Sequence, residues 1–160
     1  MPPATRRPPP APRSQPMSSP LRTFEGGCHC GALGFSFDTA VAVSAWSVRA
    51  CRCGFCRAHG ALTTSDPSGR LAFHLAPGEP LQRYRFGLRT ADFLVCGRCG
   101  VYVGAQIATA QGAFGIINTL ALRPLPAGLP AAVNADYGGE STSERIARRA
   151  QRWTPLAQVV

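Results

Sequence analysis

Short stretches in which apolar or β-branched residues alternate with polar ones run through most of the chain. They cover residues 32–37, 41–48, 71–75, 81–86, 92–95, 101–107 and 112–117. Turn sequences such as SDPSG and APGEP separate them. Because successive side chains of a strand point to opposite faces of a sheet, this pattern predicts seven short strands and a mostly-β fold.

One stretch near the end of the chain, STSERIARRAQRW, has a helical period instead. Its apolar residues are spaced to fall on one face of a helix: Ile146, Ala147, Ala150 and Trp153. Ser141 and Glu144 have the spacing of a capping box, and Pro155 ends the segment. The sequence therefore predicts a short C-terminal helix whose arginine face is exposed to solvent.

The first residues of the chain have a different composition. Eight of the fifteen prolines lie within residues 1–20, together with three arginines and no acidic residue. The segment lacks the apolar stretch of a secretory signal, and its prolines exclude the amphipathic helix of a transit peptide. No stretch of 18 consecutive apolar residues, as a membrane span requires, occurs anywhere in the chain. We predict a disordered Pro/Arg-rich tail over residues 1–22 and a cytoplasmic protein.

The positive charge of the chain does not indicate nucleic-acid binding. The formal net charge is +9, and all seventeen basic residues are arginines, a usage typical of GC-rich genomes. Four of these arginines lie in the tail, which leaves +5 for residues 23–160. Seven thiolates holding two zinc ions would reduce this to about +2. A nucleic-acid-binding surface would instead need basic residues clustered on one face.

All seven cysteines lie in three short clusters. These are GGCHCG with Cys28 and Cys30, CRCGFC with Cys51, Cys53 and Cys56, and CGRCG with Cys96 and Cys99. An odd number of cysteines without a secretory signal favours metal binding over disulfides. CxC in a strand directs both sulfurs to one side, and CxxC followed by glycine is typical of a zinc knuckle.

Seven sulfur ligands divide most simply into a set of four and a set of three. A closed four-cysteine site is structural, whereas three protein ligands leave an open position for catalysis or ligand binding. The contiguous CRCGFC predicts the open site, Cys51, Cys53 and Cys56, and leaves Cys28, Cys30, Cys96 and Cys99 for the structural site. Alternatively, His59 closes the second site and both are structural. Either division predicts two Zn²⁺ ions per chain.

The segments GGCHCGAL, CRCGFCRAHGA, FLVCGRCGVYVGA and NTL resemble the glutathione-dependent formaldehyde-activating enzyme family, also called the CENP-V/GFA domain. The resemblance extends from about residue 26 to about residue 120. It implies an Mss4-like zinc-ribbon-type β fold, with the four-cysteine site structural and the three-cysteine site next to glutathione. We expect the domain to cover residues 23–135 and a C-terminal helical extension to cover residues 136–160.

The same resemblance implies a zinc-dependent carbon–sulfur lyase-type enzyme. It would join glutathione, or a related thiol, and formaldehyde, or another small aldehyde, into an S-hydroxymethyl adduct. Arg57, and with it Arg52, could bind the carboxylates of glutathione, and His59 could transfer the proton. The alternative is a non-catalytic zinc-binding module that acts as a thiol carrier, a sensor or a protein-interaction domain. No membrane partner is expected, and the oligomeric state is left open.

Overall fold

A computed structural model describes residues 20–160, so the predicted tail lies outside the described residues up to residue 19. The described part contains eleven strands and two α-helices. In chain order they are β1 (Arg22–Gly27), β2 (Leu33–Thr39), β3 (Arg49–Cys51), α1 (Gly54–Ala58), β4 (Leu62–Thr64), β5 (Arg70–Leu75), β6 (Leu81–Tyr84), β7 (Asp92–Cys96), β8 (Tyr102–Thr109), β9 (Gly112–Asn118), β10 (Val133–Ala135), α2 (Thr142–Arg152) and β11 (Thr154–Leu156). The prediction of a mostly-β chain with one short C-terminal helix is confirmed.

All eleven strands belong to one sheet, and β9 is its branch point. One edge of β9 pairs with β8, which continues through β7 to β6. The other edge pairs first with β11 and then with β4. From β11 the sheet runs through β5 and β2 to β1, and from β4 it runs through β3 to β10. The short strand β11 therefore joins β5 to β9.

The main core consists of apolar side chains from the long strands. Its largest fully buried members are Leu33, Phe35, Phe37, Leu71, Leu94, Val103 and Ile117. Two smaller apolar clusters lie around β7, β8 and β9, one with Tyr102 and Cys56 and one with Ile116 and Trp153. Phe93 packs against both, so α1 and α2 cover adjoining areas of the sheet.

Six of the seven predicted strands correspond to β2, β5, β6, β7, β8 and β9. The prediction of a strand over residues 41–48 is wrong, because Val43–Ala45 forms a 3-10 helix. Trp46 is buried there against Phe24 and Phe37, with ring centroids 4.8 and 5.4 Å apart. These apolar residues cover the end of the core, so their alternation does not reflect strand pairing.

The predicted capping box of α2 is confirmed, since the Ser141 hydroxyl accepts from the Glu144 N–H and the Glu144 carboxylate accepts from the Ser141 N–H. The prediction that the arginine face is exposed to solvent is wrong. Arg149 is buried and Arg145 is half-buried, whereas Ala147 is exposed. The helix is thus turned so that Arg145 and Arg149 face the protein, whereas Ala147 and Arg152 face solvent.

Within residues 20–160, neither α-helix has the length and apolar character needed to cross a membrane.

Candidate functional site

The first cysteine cluster joins two turns that are far apart in sequence. Cys28 and Cys30 lie between β1 and β2, whereas Cys96 ends β7 and Cys99 lies in the turn before β8. All four sulfur atoms lie within 4.8 Å of one another. The Cys30 Sγ is 3.6 Å from the Sγ atoms of both Cys28 and Cys96. The predicted set of four therefore converges on one point.

The geometry of this cluster fits zinc better than disulfides. Four sulfurs at about 2.3 Å from a tetrahedral Zn²⁺ lie roughly 3.8 Å apart, close to the two 3.6 Å separations from Cys30. A disulfide would need about 2.05 Å between sulfurs. The Leu33 N–H donates to the Cys28 Sγ over 3.2 Å, which favours a thiolate. At the other turn Gly100 has a φ of +74°, and its N–H donates to the Cys96 carbonyl.

The second cluster is built by β3 and α1. Cys51 is the last residue of β3, Cys53 is the N-cap of α1, and Cys56 lies within that helix. Their three Sγ atoms lie within 4.8 Å of one another. The Cys56 N–H donates to the Cys53 Sγ over 3.4 Å. Three converging sulfurs can hold a metal ion and leave one coordination position for a ligand.

The closeness of the sulfurs in the second cluster favours one anionic sulfur. The neighbouring Cys56 thiol lowers the pKa of Cys51 to about 5. The positive charge of Arg148 lowers this pKa further, whereas burial opposes both effects. The neighbouring Cys51 sulfur and burial raise the pKa of Cys56. The cluster thus provides negatively charged sulfur at neutral pH, the form that binds metals.

A cavity of about 820 Å³ opens above the three-cysteine cluster. Its aromatic lining consists of Phe55, Tyr84, Phe86, Phe93, Tyr102, Tyr137 and Trp153. Its charged lining consists of Arg52, Arg57, Arg145, Arg148, Arg149, Asp136 and Glu140. Five guanidinium groups face two carboxylates, so the walls carry an excess of positive charge. Such walls favour a ligand that is anionic and small enough for a cavity of this size.

Tyr102 is the buried phenol of this cavity, with only 2% of its surface exposed. Burial raises its pKa well above the ordinary value, and the charges of Cys56, Cys51 and Cys53 act in the same direction. The hydroxyl therefore stays protonated at neutral pH and can donate a hydrogen bond. Nothing in the sequence around Tyr102 distinguishes it from an ordinary strand residue, so it could not be predicted as a site residue.

The segment between β10 and α2 is fastened to the helix by Glu140. Its carboxylate accepts from Arg145 Nε over 3.2 Å and from Arg148 Nη2 over 2.9 Å. The Arg148 guanidinium lies 3.7 Å from the centroid of the Tyr137 ring. The hydrogen bond from Arg148, with further contributions from Arg145, lowers the pKa of Glu140. These partners explain why the arginine face of α2 turns inward.

The structure brings two of the other predicted residues, Arg52 and Arg57, to the walls of this cavity. His59 lies elsewhere. It is the C-cap of α1, and its ring packs 4.4 Å from Phe55 and 5.7 Å from Tyr102. It lines a separate cavity of about 490 Å³, together with His29. Its ring nitrogens do not belong to the group of donors that converges with the three cysteine sulfurs.

Comparison with known proteins agrees with this geometry. The sequence profile of a family described as "Glutathione-dependent formaldehyde-activating enzyme" matches residues 23–129. A crystal structure of a Rhodobacter sphaeroides protein is similar, with 28% sequence identity and a TM-score of 0.53. The similarity covers 69% of this chain and 99% of that one. No curated protein matches the chain. The profile ends before β10, α2 and β11, so these elements lie outside the matched region.

Proposed function

Because the chain belongs to the glutathione-dependent formaldehyde-activating enzyme family, we propose that it joins glutathione, or a related thiol, to formaldehyde or another small aldehyde. The product is an S-hydroxymethyl thiol, as in a carbon–sulfur lyase reaction run in the direction of synthesis. One observation carries the proposal: three cysteine sulfurs converge at a cavity of about 820 Å³ whose walls are aromatic and rich in arginine.

The proposed reaction needs no oxidant, reductant or third reactant. The thiol sulfur forms a bond with the aldehyde carbon, and the π bond of the carbonyl breaks. The proton lost by the thiol ends on the new hydroxyl group. When bound by Cys51, Cys53 and Cys56, Zn²⁺ would hold the substrate sulfur as a thiolate or polarise the carbonyl. We assign the four-cysteine cluster to a second, structural Zn²⁺.

The walls of the cavity supply the remaining functions. Arg52 and Arg57 offset the negative charge of three thiolates, and Arg57 binds a carboxylate of glutathione through parallel hydrogen bonds. Tyr102 donates a hydrogen bond to the aldehyde oxygen as that oxygen gains negative charge. We assign no step to His59, because it lines only the neighbouring cavity, whereas Tyr102 lines both.

Calorimetry of the zinc-loaded protein tests the thiol site. Glutathione should bind and release a proton at neutral pH, as shown by titrations in buffers of different ionisation enthalpy. S-methylglutathione cannot become a thiolate and should bind at least about tenfold more weakly. Arg57→Ala should weaken glutathione binding roughly tenfold and weaken 2-mercaptoethanol, which has no carboxylate, by less than about threefold. Arg98→Ala is the matched control, because Arg98 pairs with Glu79 and does not line the cavity.

Turnover needs a separate measurement, since thiols add to formaldehyde without help. NMR exchange of labelled formaldehyde with glutathione should be faster with the protein than in buffer, and Tyr102→Phe should slow it. Glutathione binding without acceleration would contradict an enzyme and leave the thiol carrier or sensor. No thiol binding at all would contradict both and leave a structural zinc module.

A further inference from the structure

Helix α2 forms one wall of the cavity. It lies outside the family match over residues 23–129. It contributes Arg145, Arg148 and Arg149. Residues three and four positions apart lie on the same side of a helix, so these three guanidinium groups share one face. Any ligand group that this helix face binds is therefore recognised by residues outside the region that the family profile matches.

Two of the three arginines have an anionic partner within the protein. Arg145 and Arg148 both donate to the Glu140 carboxylate, and Arg148 also lies over the Tyr137 ring. Their positive charges are thus offset by a neighbour.

Arg149 is different. It is only 7% exposed, and none of the ion pairs within residues 20–160 includes it. Its Nη1 donates to the Thr90 hydroxyl over 2.6 Å, and its guanidinium carbon lies 4.9 Å from the centroid of the Trp153 ring. Its Nε is buried and has no hydrogen-bond partner. A buried guanidinium without a counter-ion is unfavourable, and a ligand that supplies one gains affinity.

The position of the unpaired nitrogen indicates what such a ligand carries. Nε and Nη2 lie on the same edge of the planar guanidinium, and Thr90 occupies Nη1 on another edge. Nε is enclosed in this conformation, so a carboxylate can hold this edge with two parallel hydrogen bonds once the Arg149 side chain shifts towards the cavity. The same cavity is lined by the three-cysteine cluster, so a ligand that reaches both needs a sulfur at one point and a carboxylate at another.

We propose that Arg149 is the carboxylate anchor of the thiol substrate and makes the site selective for thiols that carry a carboxylate. This inference rests on the proposed function, because it requires a thiol to bind at Cys51, Cys53 and Cys56. Arg149 and Arg57 approach the cavity from different elements, so each can bind one of the two carboxylates of glutathione.

The first test compares three thiols by calorimetry on the zinc-loaded full chain. Glutathione, its diethyl ester and 2-mercaptoethanol all offer a sulfur, but only glutathione offers carboxylates. Glutathione should bind at least about tenfold more tightly than the diethyl ester, since a hydrogen-bonded ion pair replaces neutral contacts. Equal affinities for glutathione and its diethyl ester would overturn the proposal, whatever happens to any variant.

The second test assigns this preference to Arg149. Arg149→Gln should weaken glutathione roughly tenfold and change the affinities of the diethyl ester and 2-mercaptoethanol by less than about threefold. Arg149→Lys keeps the positive charge but cannot form two parallel hydrogen bonds. It should therefore weaken glutathione binding less than Arg149→Gln does. Arg152→Gln is the matched control, because Arg152 lies on the same helix but is exposed and does not line the cavity.

Two other outcomes of Arg149→Gln would overturn the proposal. If all three thiols weaken by the same factor, Arg149 acts as a counter-charge for the cysteine sulfurs and not as an anchor. If the preference for glutathione over its diethyl ester is unchanged, another residue holds the carboxylate. Failure of 2-mercaptoethanol and glutathione alike to bind the wild-type protein would contradict the proposed function itself, and with it this inference.

Discussion

The seven cysteines differ in how they are joined to the core. In the four-cysteine cluster, Cys28 and Cys96 are almost fully buried within the main apolar cluster and Cys30 is exposed, whereas in the three-cysteine cluster Cys56 is buried and Cys51 and Cys53 are half-buried beside the cavity. Unpaired thiolates in the core would be unfavourable, so metal binding at the four-cysteine cluster should be coupled to folding. The three-cysteine cluster draws only on β3 and α1, which are adjacent in sequence, so it joins no distant parts of the chain.

Substitution of one cysteine from each cluster should therefore have unequal effects. Zinc binding at a structural site contributes about 10–16 kcal/mol in small zinc peptides, comparable with the total stability of a domain. Cys96→Ser should thus give unfolded or insoluble protein. Cys53→Ser should remain folded and lose one of two zinc ions. Mass spectrometry of metal content and circular dichroism measure both effects, and equal unfolding by both substitutions would contradict the division into structural and open sites.

The four-cysteine set could be predicted only by elimination, because its two pairs lie far apart in sequence, whereas close spacing along the chain already brings Cys51, Cys53 and Cys56 together. The placement of Arg57 in the cavity wall follows in the same way, since it lies one residue after Cys56. Tyr102 and Arg149 could not be predicted as site residues. Both reach the cavity only through the pairing of strands and the docking of a helix, which depend on residues far away in the sequence.

In helix α2, some properties depend on neighbouring residues and others on residues far away in the sequence. Its extent and its cap depend on neighbouring residues, and the sequence predicted both. Its orientation depends on Glu140, Tyr137 and Thr90, which pair with its arginines. The short strands β3, β4, β10 and β11 could not be predicted either. Each has only three residues, too few to show the apolar–polar alternation by which a strand is recognised in a sequence.

The cap of α2 should contribute measurably to stability. Ser141→Ala removes the hydroxyl that accepts from the Glu144 N–H, which should lower the free energy of unfolding by about 1 kcal/mol. The melting temperature should fall by roughly 2–4 °C. Thr142→Ala is the matched control on the next residue, also exposed, and should cause no such loss. An equal fall for both variants would show that the capping box does not stabilise the helix.

The whole molecule assembles its cavity from segments distributed over a hundred residues. Cys51 to Arg57 form one side, residues between 84 and 102 another, and residues 136–153 the third. Glu140 holds the third side together by pairing with Arg145 and Arg148. Because the pKa of Glu140 is lowered in the folded protein by the hydrogen bond from Arg148, the carboxylate stabilises the fold above its ordinary pKa of 4.5. This contribution is lost as the pH falls through the lower pKa of the folded state.

Glu140→Gln should therefore destabilise the protein in a pH-dependent way. Near neutral pH the free energy of unfolding should fall by roughly 0.5–1 kcal/mol, a value typical of partly exposed ion pairs. The difference from the wild type should shrink as the pH falls below about 4.5. Chemical denaturation between pH 7 and pH 3 measures it. Glu79→Gln, which removes the carboxylate of a more exposed pair, is the control. A difference that does not change with pH would contradict an ionic role.

The position of β11 has a consequence for the order in which the molecule is made. β5 and β9 are synthesised well before residues 154–156, which later pair with both. A nascent chain emerging from the ribosome would thus hold the β1–β2–β5 and β6–β9 portions before the strand that joins them exists. All seven cysteines are already present by then, and the four-cysteine cluster links the turn after β1 to the turn after β7. Metal capture can therefore draw the two portions together first, while the third side of the cavity is still open to incoming ions.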